Sequence, residues 1–80
     1  MKTELVFKIY DTLQKADLNW HSWHWWKRQD EWFNNFKPED IDNCALQMAN
    51  AGMIEASPNK TGFRRKEKTL KEKIFLKLYP

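Results

Sequence analysis

One cysteine, two glycines and three prolines stand in a chain of 80 residues, and each scarcity excludes something. With Cys44 alone, no intramolecular disulfide forms. Small secreted domains usually depend on such staples, so the expected setting is a reducing one, the cytoplasm. Glycine occurs only at Gly52 and Gly62, which leaves no glycine-rich loop to cradle a phosphate. No apolar run is long enough for a membrane span or for the hydrophobic region of a signal peptide. His21, His24 and Cys44 are the only soft metal ligands, short of the four donors a structural zinc site takes. No nucleophile lies in a recognisable catalytic motif. The chain therefore reads as a non-enzyme with no metal, no cofactor and no membrane partner.

What is abundant is aromatic area and charge. A chain of this size buries only about 60% of its unfolded surface, so its core has to be dense. Five Trp and five Phe answer that need, since each buried aromatic removes about 150–250 Å² from water. One domain over residues 1–80 is expected. The net charge of +3 is unevenly placed. Residues 60–73 carry Lys60, Arg64, Arg65, Lys66, Lys68, Lys71 and Lys73 against Glu67 and Glu72, a net of +5, whereas residues 1–59 sum to −3. A charge dipole along the chain says more about partners than the total does.

Periodicity predicts three helices and then a hairpin. Leu5, Val6, Ile9, Tyr10, Leu13 and Ala16 recur on one helical face, with Thr3 as the expected N-cap. Asp17, Leu18 and Asn19 terminate it. Trp25, Trp26, Gln29, Trp32, Phe33 and Phe36 predict a second helix over about Ser22 to Asn35, capped by Ser22. A short strand within residues 18–26 is the alternative, because Leu18, Trp20 and Trp26 share a period-2 register. Pro38 opens a third helix, acidic residues suit its first turn, and Gly52 ends it. Ile41, Ala45, Met48 and Ala49 form its inner stripe. Met53–Ser57 and Phe63–Lys68 then read as two strands around the turn residues Pro58 to Gly62. Thr69 to Glu72 matches a capping box, so residues 70–79 are taken as a short helix, with a strand as the alternative. The expected fold class is α+β and mostly helical.

The segments LQMANAGMIEA at Leu46–Ala56 and NKTGFRRKEKT at Asn59–Thr69 carry a resemblance. A helix rich in leucine and alanine, stepping through Ala-Gly-Met-Ile into a strand and returning through Gly-Phe-Arg-Arg, resembles the winged helix-turn-helix superfamily. The resemblance implies a three-helix core with a hairpin wing. It also implies a DNA-binding role, with the third helix in the major groove and the wing along the backbone or minor groove. In this chain the third helix opens on Pro38, Glu39, Asp40 and Asp42, whose carboxylates repel phosphates.

The candidate nucleic-acid contacts are Lys60, Arg64, Arg65, Lys66 and Lys68 for phosphates and Asn43, Gln47 and Asn50 for bases. Each phosphate neutralised on duplex DNA contributes about −0.9 to the logarithmic salt slope. The bland reading is a solvated edge strand that lysines protect from aggregation. A second functional class is a protein-interaction or inhibitor module of phage or mobile-element type. Glu39, Asp40 and Asp42 would then face a basic partner, and exposed Trp20 and Trp23 would anchor the contact. The first class is preferred: a transcriptional or recombination accessory factor on double-stranded DNA. A homodimer is a further option, through Phe7 or through Phe75 and Tyr79.

Overall fold

Leu5, Ile9 and Leu13 repeat every four residues and are all buried, which is why the first segment folds as a helix with one face inward. In the computed structural model, which describes residues 2–66, this helix, α1, runs Thr3–Gln14. Lys2 occupies the N-cap position with extended backbone and no side-chain cap, so Thr3 lies inside the helix and does not cap it. The chain leaves α1 through a turn in which the Asn19 N–H donates to Asp17 Oδ1 at 3.2 Å.

The second helical segment differs from the expectation. Instead of one helix to Asn35, α2 spans only Trp23–Gln29, and a separate 3-10 turn covers Glu31–Asn35. Asp30 makes the break. Its backbone is extended, its Oδ1 accepts from the Trp32 N–H at 2.9 Å, and its Oδ2 accepts from Lys8 Nζ on α1 at 2.9 Å. An aspartate that finds a free N–H two residues on competes with the helix, and here it wins. The expected Ser22 cap is also replaced: Ser22 sits at the N-cap but its hydroxyl makes no cap bond. The Trp23 N–H donates instead to Asp42 Oδ1 at 3.0 Å.

The third helix, α3, spans Pro38–Asn50 with proline in its first turn. Gly52 follows with φ +82°. Its N–H donates to Ala49 O and the Met53 N–H reaches back to Met48 O, both at 3.0 Å, the paired bonds of a Schellman ending. The chain then enters β1, Ile54–Ala56, which pairs antiparallel with β2, Phe63–Arg65. β1 is shorter than the sequence suggested at both ends, because Met53 belongs to the helix ending and Ser57 to the turn, whereas β2 starts at Phe63 as expected and ends at Arg65. The Ser57 hydroxyl accepts from the N–H groups of Thr61 and Gly62 at 3.1 Å each and donates to Asn59 Oδ1 at 2.7 Å. On its other edge β2 meets the connector between α1 and α2. His21 and Phe63 exchange backbone bonds of 2.8 and 2.7 Å, the trace of the strand considered within residues 18–26.

The architecture is α+β and mostly helical: among the described residues, three α-helices and a 3-10 turn are followed by a two-stranded hairpin. Its core draws Leu5, Ile9 and Leu13 from α1, Trp26 from α2, Ile41, Ala45 and Met48 from α3, and Ile54 and Phe63 from the strands. Phe33 of the 3-10 turn and Cys44 of α3 complete it among the described residues. Each of the large aliphatic and Phe side chains among them contributes about 1.5–3 kcal/mol on burial. Trp26 is the central piece. It is fully buried, its ring lies 6.1 Å from that of Phe63, and its indole N–H donates to Thr12 Oγ1 at 2.9 Å. Lys68 and the segment read as a helix over residues 70–79, with Lys71, Lys73, Phe75 and Tyr79, lie outside the described residues.

Candidate nucleic-acid interface

The hairpin turn displays an exposed cation, Lys60. Pro58 and Asn59 form its corner, the Lys60 N–H donates to Ser57 O at 2.8 Å, and Lys60 follows in the left-handed region at φ +59°. That conformation costs a side-chain-bearing residue about 1–2 kcal/mol relative to the right-handed one, and glycine is its usual occupant. Lys60 is exposed there, and so is Lys66 just past β2. Among the described residues the Lys66 ammonium makes a long contact, 3.4 Å, with Gly52 O.

The two arginines behave differently from the expected phosphate-gripping arms. Successive residues of a strand point to opposite faces, and the register then decides what each meets. Arg64 stands directly across from Glu55, and its Nε donates to Glu55 Oε2 at 2.7 Å. Its guanidinium also lies 4.2 Å from the ring centre of Trp20. Arg65 stands across from Ile54 and donates to Ala16 O, a carbonyl just past the end of α1. Carbonyls at a helix end have no intrahelical partner, so a neighbouring cation is drawn to them. Both arginines are half-buried and occupied, and neither folds onto the acidic start of α3.

On α3, Asn43, Gln47 and Asn50 are exposed and share one face, with Glu39 and Asp40 exposed at its start. Asp42 is not part of that acidic surface. It is half-buried and holds the Trp23 N–H, and burial pushes its carboxyl up from the ordinary 3.8, partly offset by that hydrogen bond and by His24. Trp23 is half-buried against His24, with ring centres 3.4 Å apart, whereas Trp20 is 41% exposed.

The C-terminal end of α3 and the hairpin enclose a cleft of about 440 Å³ lined by Trp20, Asn50, Glu55, Lys60 and Arg64 among others. The fold thus brings together Asn50, Lys60, Arg64 and Trp20. It leaves Asn43 and Gln47 nearer a second cleft, beside the start of α1, and Lys66 and Arg65 elsewhere on the hairpin. Glu55 was missed in the sequence reading. The register would have found it, because a turn closed between Ser57 and Gly62 sets Glu55 opposite Arg64.

Away from this cleft, Phe7 is 69% exposed on the outer side of α1, and Tyr10 and Trp32 line the same shallow cleft. Among the described residues no group of three or more His, Cys, Asp or Glu is placed to hold a metal ion. The buried Cys44 thiol is pushed up from its ordinary value by desolvation. Among the same residues no helix is long and apolar enough to cross a membrane. Comparison of the chain with protein-family models, with curated proteins and with solved structures found no match to any of them.

Proposed function

We propose that the chain is a winged-helix nucleic-acid-binding domain that takes double-stranded DNA, an accessory factor of transcription or recombination. The observation that carries this reading is the cleft between α3 and the hairpin, where Asn50, Lys60 and Arg64 converge from three separate elements beside Trp20. Lys60 lends it further weight. A lysine held at φ +59° occupies a position that glycine would fill with less strain, which is intelligible where an exposed charge at the tip of the hairpin is put to use. The phosphate grip falls to Lys60 and Lys66, the exposed cations of the hairpin, and the amides of α3 offer hydrogen bonds to base edges.

A salt-series gel shift on single- and double-stranded DNA tests it. Duplex binding that weakens steeply with salt is expected, and replacing both Lys60 and Lys66 by Ala should lower the slope by about 0.9 per lost contact. No retention of any duplex at low salt would overturn the proposal. A second reading, a homodimer through Phe7, is favoured by one observation, the exposure of Phe7 beside Tyr10 and Trp32. Light scattering that shows a dimer abolished by Phe7→Ser, without DNA binding, would put that reading first.

A further inference from the structure

Arg64 is held in a manner unusual for a residue that only supplies charge. Three constraints fix its guanidinium. The register sets its Cα opposite Glu55, its Nε donates to Glu55 Oε2 at 2.7 Å, and its Cζ lies over Trp20, 4.2 Å from the ring centre. The root of Trp20 is tightly packed against the hairpin turn: a Cβ added at Gly62 would come within 2.8 Å of Trp20 Cβ. What remains is the outer edge. Among the described residues neither Nη of Arg64 has an acceptor, and no buried side-chain nitrogen is left unpaired, so this edge faces solvent along the cleft shared with Asn50 and Lys60.

From this geometry we infer that Arg64 is a base-reading arginine specific for guanine in duplex DNA, an inference that rests on the DNA-binding reading given above with the cleft shared by Asn50 of α3 and Arg64, and not only α3, facing the major groove. The pairing with Glu55 cancels the positive charge of Arg64, and counterion release, which drives phosphate binding, depends on uncompensated charge. A carboxylate beside the guanidinium also disfavours an approaching phosphate. The two parallel donors survive the pairing unchanged, and they match a neutral partner with two adjacent acceptors. In the major groove only guanine presents such a pair, O6 and N7. Adenine offers one acceptor beside a donor, thymine one acceptor beside a methyl group, and cytosine a donor. Glu55 and Trp20 therefore act as positioning residues, fixing the plane and the free edge of the arginine before DNA arrives.

The test begins with selection of bound duplexes from a random library by the wild-type chain, and then by Arg64→Ala and Arg64→Lys. The selected wild-type sites should contain a fixed guanine. Replacing that guanine by 7-deazaguanine, which lacks N7 but keeps O6, should weaken wild-type binding about two- to tenfold, the loss of one of the two bonds of a bidentate pair. Arg64→Ala should bind guanine and 7-deazaguanine duplexes equally, whereas Arg64→Lys, an ammonium without the two parallel donors, should keep the wild-type salt slope and only a reduced guanine preference. Arg64→Lys keeps the charge opposite Glu55, so its reduced preference cannot be put down to unfolding, and a far-ultraviolet thermal melt checks each variant. Uniform weakening on every sequence, with the slope lowered by about 0.9, would make Arg64 a phosphate contact and overturn the inference. Wild-type binding without any guanine preference would overturn it as well, while leaving the DNA-binding reading intact. Failure of the wild-type chain to bind any duplex would remove both.

Discussion

Gly62→Ala is the smallest change that probes the junction between the helical connector and the hairpin. An added Cβ would lie 2.8 Å from Trp20 Cβ and 3.6 Å from Trp20 Cα and Cγ. Carbon atoms prefer about 3.5–4.0 Å, so the first contact is too short by about 0.7 Å or more. The clash cannot be relieved by rotating a side chain, because Trp20 Cβ is fixed directly to its backbone. Nor can the two backbones part easily. The next residues along, His21 and Phe63, are joined by bonds of 2.8 and 2.7 Å, and the Gly62 N–H and carbonyl are both held by Ser57. Overpacking of this kind costs about 1–3 kcal/mol. For a domain of this size each kcal/mol lowers Tm by about 4–8 °C. Thermal melts followed by circular dichroism should therefore place Gly62→Ala at least about 4 °C below wild type. Gly52→Ala serves as the contrast: its Cβ meets nothing within 4 Å, and its cost comes only from φ +82°. A Gly62→Ala chain that melts with wild type would refute the reasoning, since it would mean that the connector and hairpin are not held together as described.

Three further outcomes are expected. Lys60→Gly should raise Tm by about 4–8 °C, through relief of about 1 kcal/mol of left-handed strain, while weakening duplex binding; a chain no more stable than wild type would deny the strain. Thr12→Val should cost about 1–3 kcal/mol in urea unfolding, because the Trp26 indole N–H loses its acceptor; an unchanged midpoint would contradict that hydrogen bond. Asp42 should give a pH signature. Its carboxyl titrates above the ordinary value when folded, so the folded state holds that proton more tightly than the unfolded chain. Its contribution therefore declines as pH rises from 3.8 through the raised value and is flat above. Asp42→Asn, which keeps an oxygen for the Trp23 N–H, should abolish that decline, whereas Asp42→Ala should lose the cap at a cost of about 0.5–2 kcal/mol. Asp17 and Asp30 titrate below the ordinary value and act in the opposite sense, losing stability as pH falls, so the Asp42 effect is read as the difference between variant and wild-type profiles from pH 3 to 7.

Much of the fold was legible because it rests on local rules. Leu5, Ile9 and Leu13 are spaced for one helical face, Pro38 and Gly52 bracket α3, and the turn residues from Pro58 to Gly62 force a reversal. The break at Asp30 was hidden for a physical reason. Over five residues the apolar spacing of a 3-10 turn and of an α-helix can hardly be told apart, so Trp32, Phe33 and Phe36 continue the stripe in either form. The deciding interactions, Asp30 with the Trp32 N–H and with Lys8, are side-chain bonds that periodicity does not record. Counting charges along the hairpin treated each arginine as free. Pairing is set across strands and between elements, so Glu55 and the Ala16 carbonyl entered only with the register and the packing of β2 on α1. The cleft shared by Asn50, Lys60 and Arg64 lies still further from local pattern, because it depends on the angle at which the hairpin leaves Gly52.

The single-residue bridge between His21 and Phe63 makes β2 an inner strand, flanked by β1 on one side and by the connector on the other. The two partners are 42 positions apart in the chain, with α2, the 3-10 turn, α3 and β1 lying between them. Released from it, the hairpin would fray as an independent arm; secured by it, the arm opens only when the helical body opens. The Phe63 amide should accordingly exchange with deuterium about as slowly as the amides in the middle of α3, reporting the unfolding of the whole described body and not a local breathing of its tip.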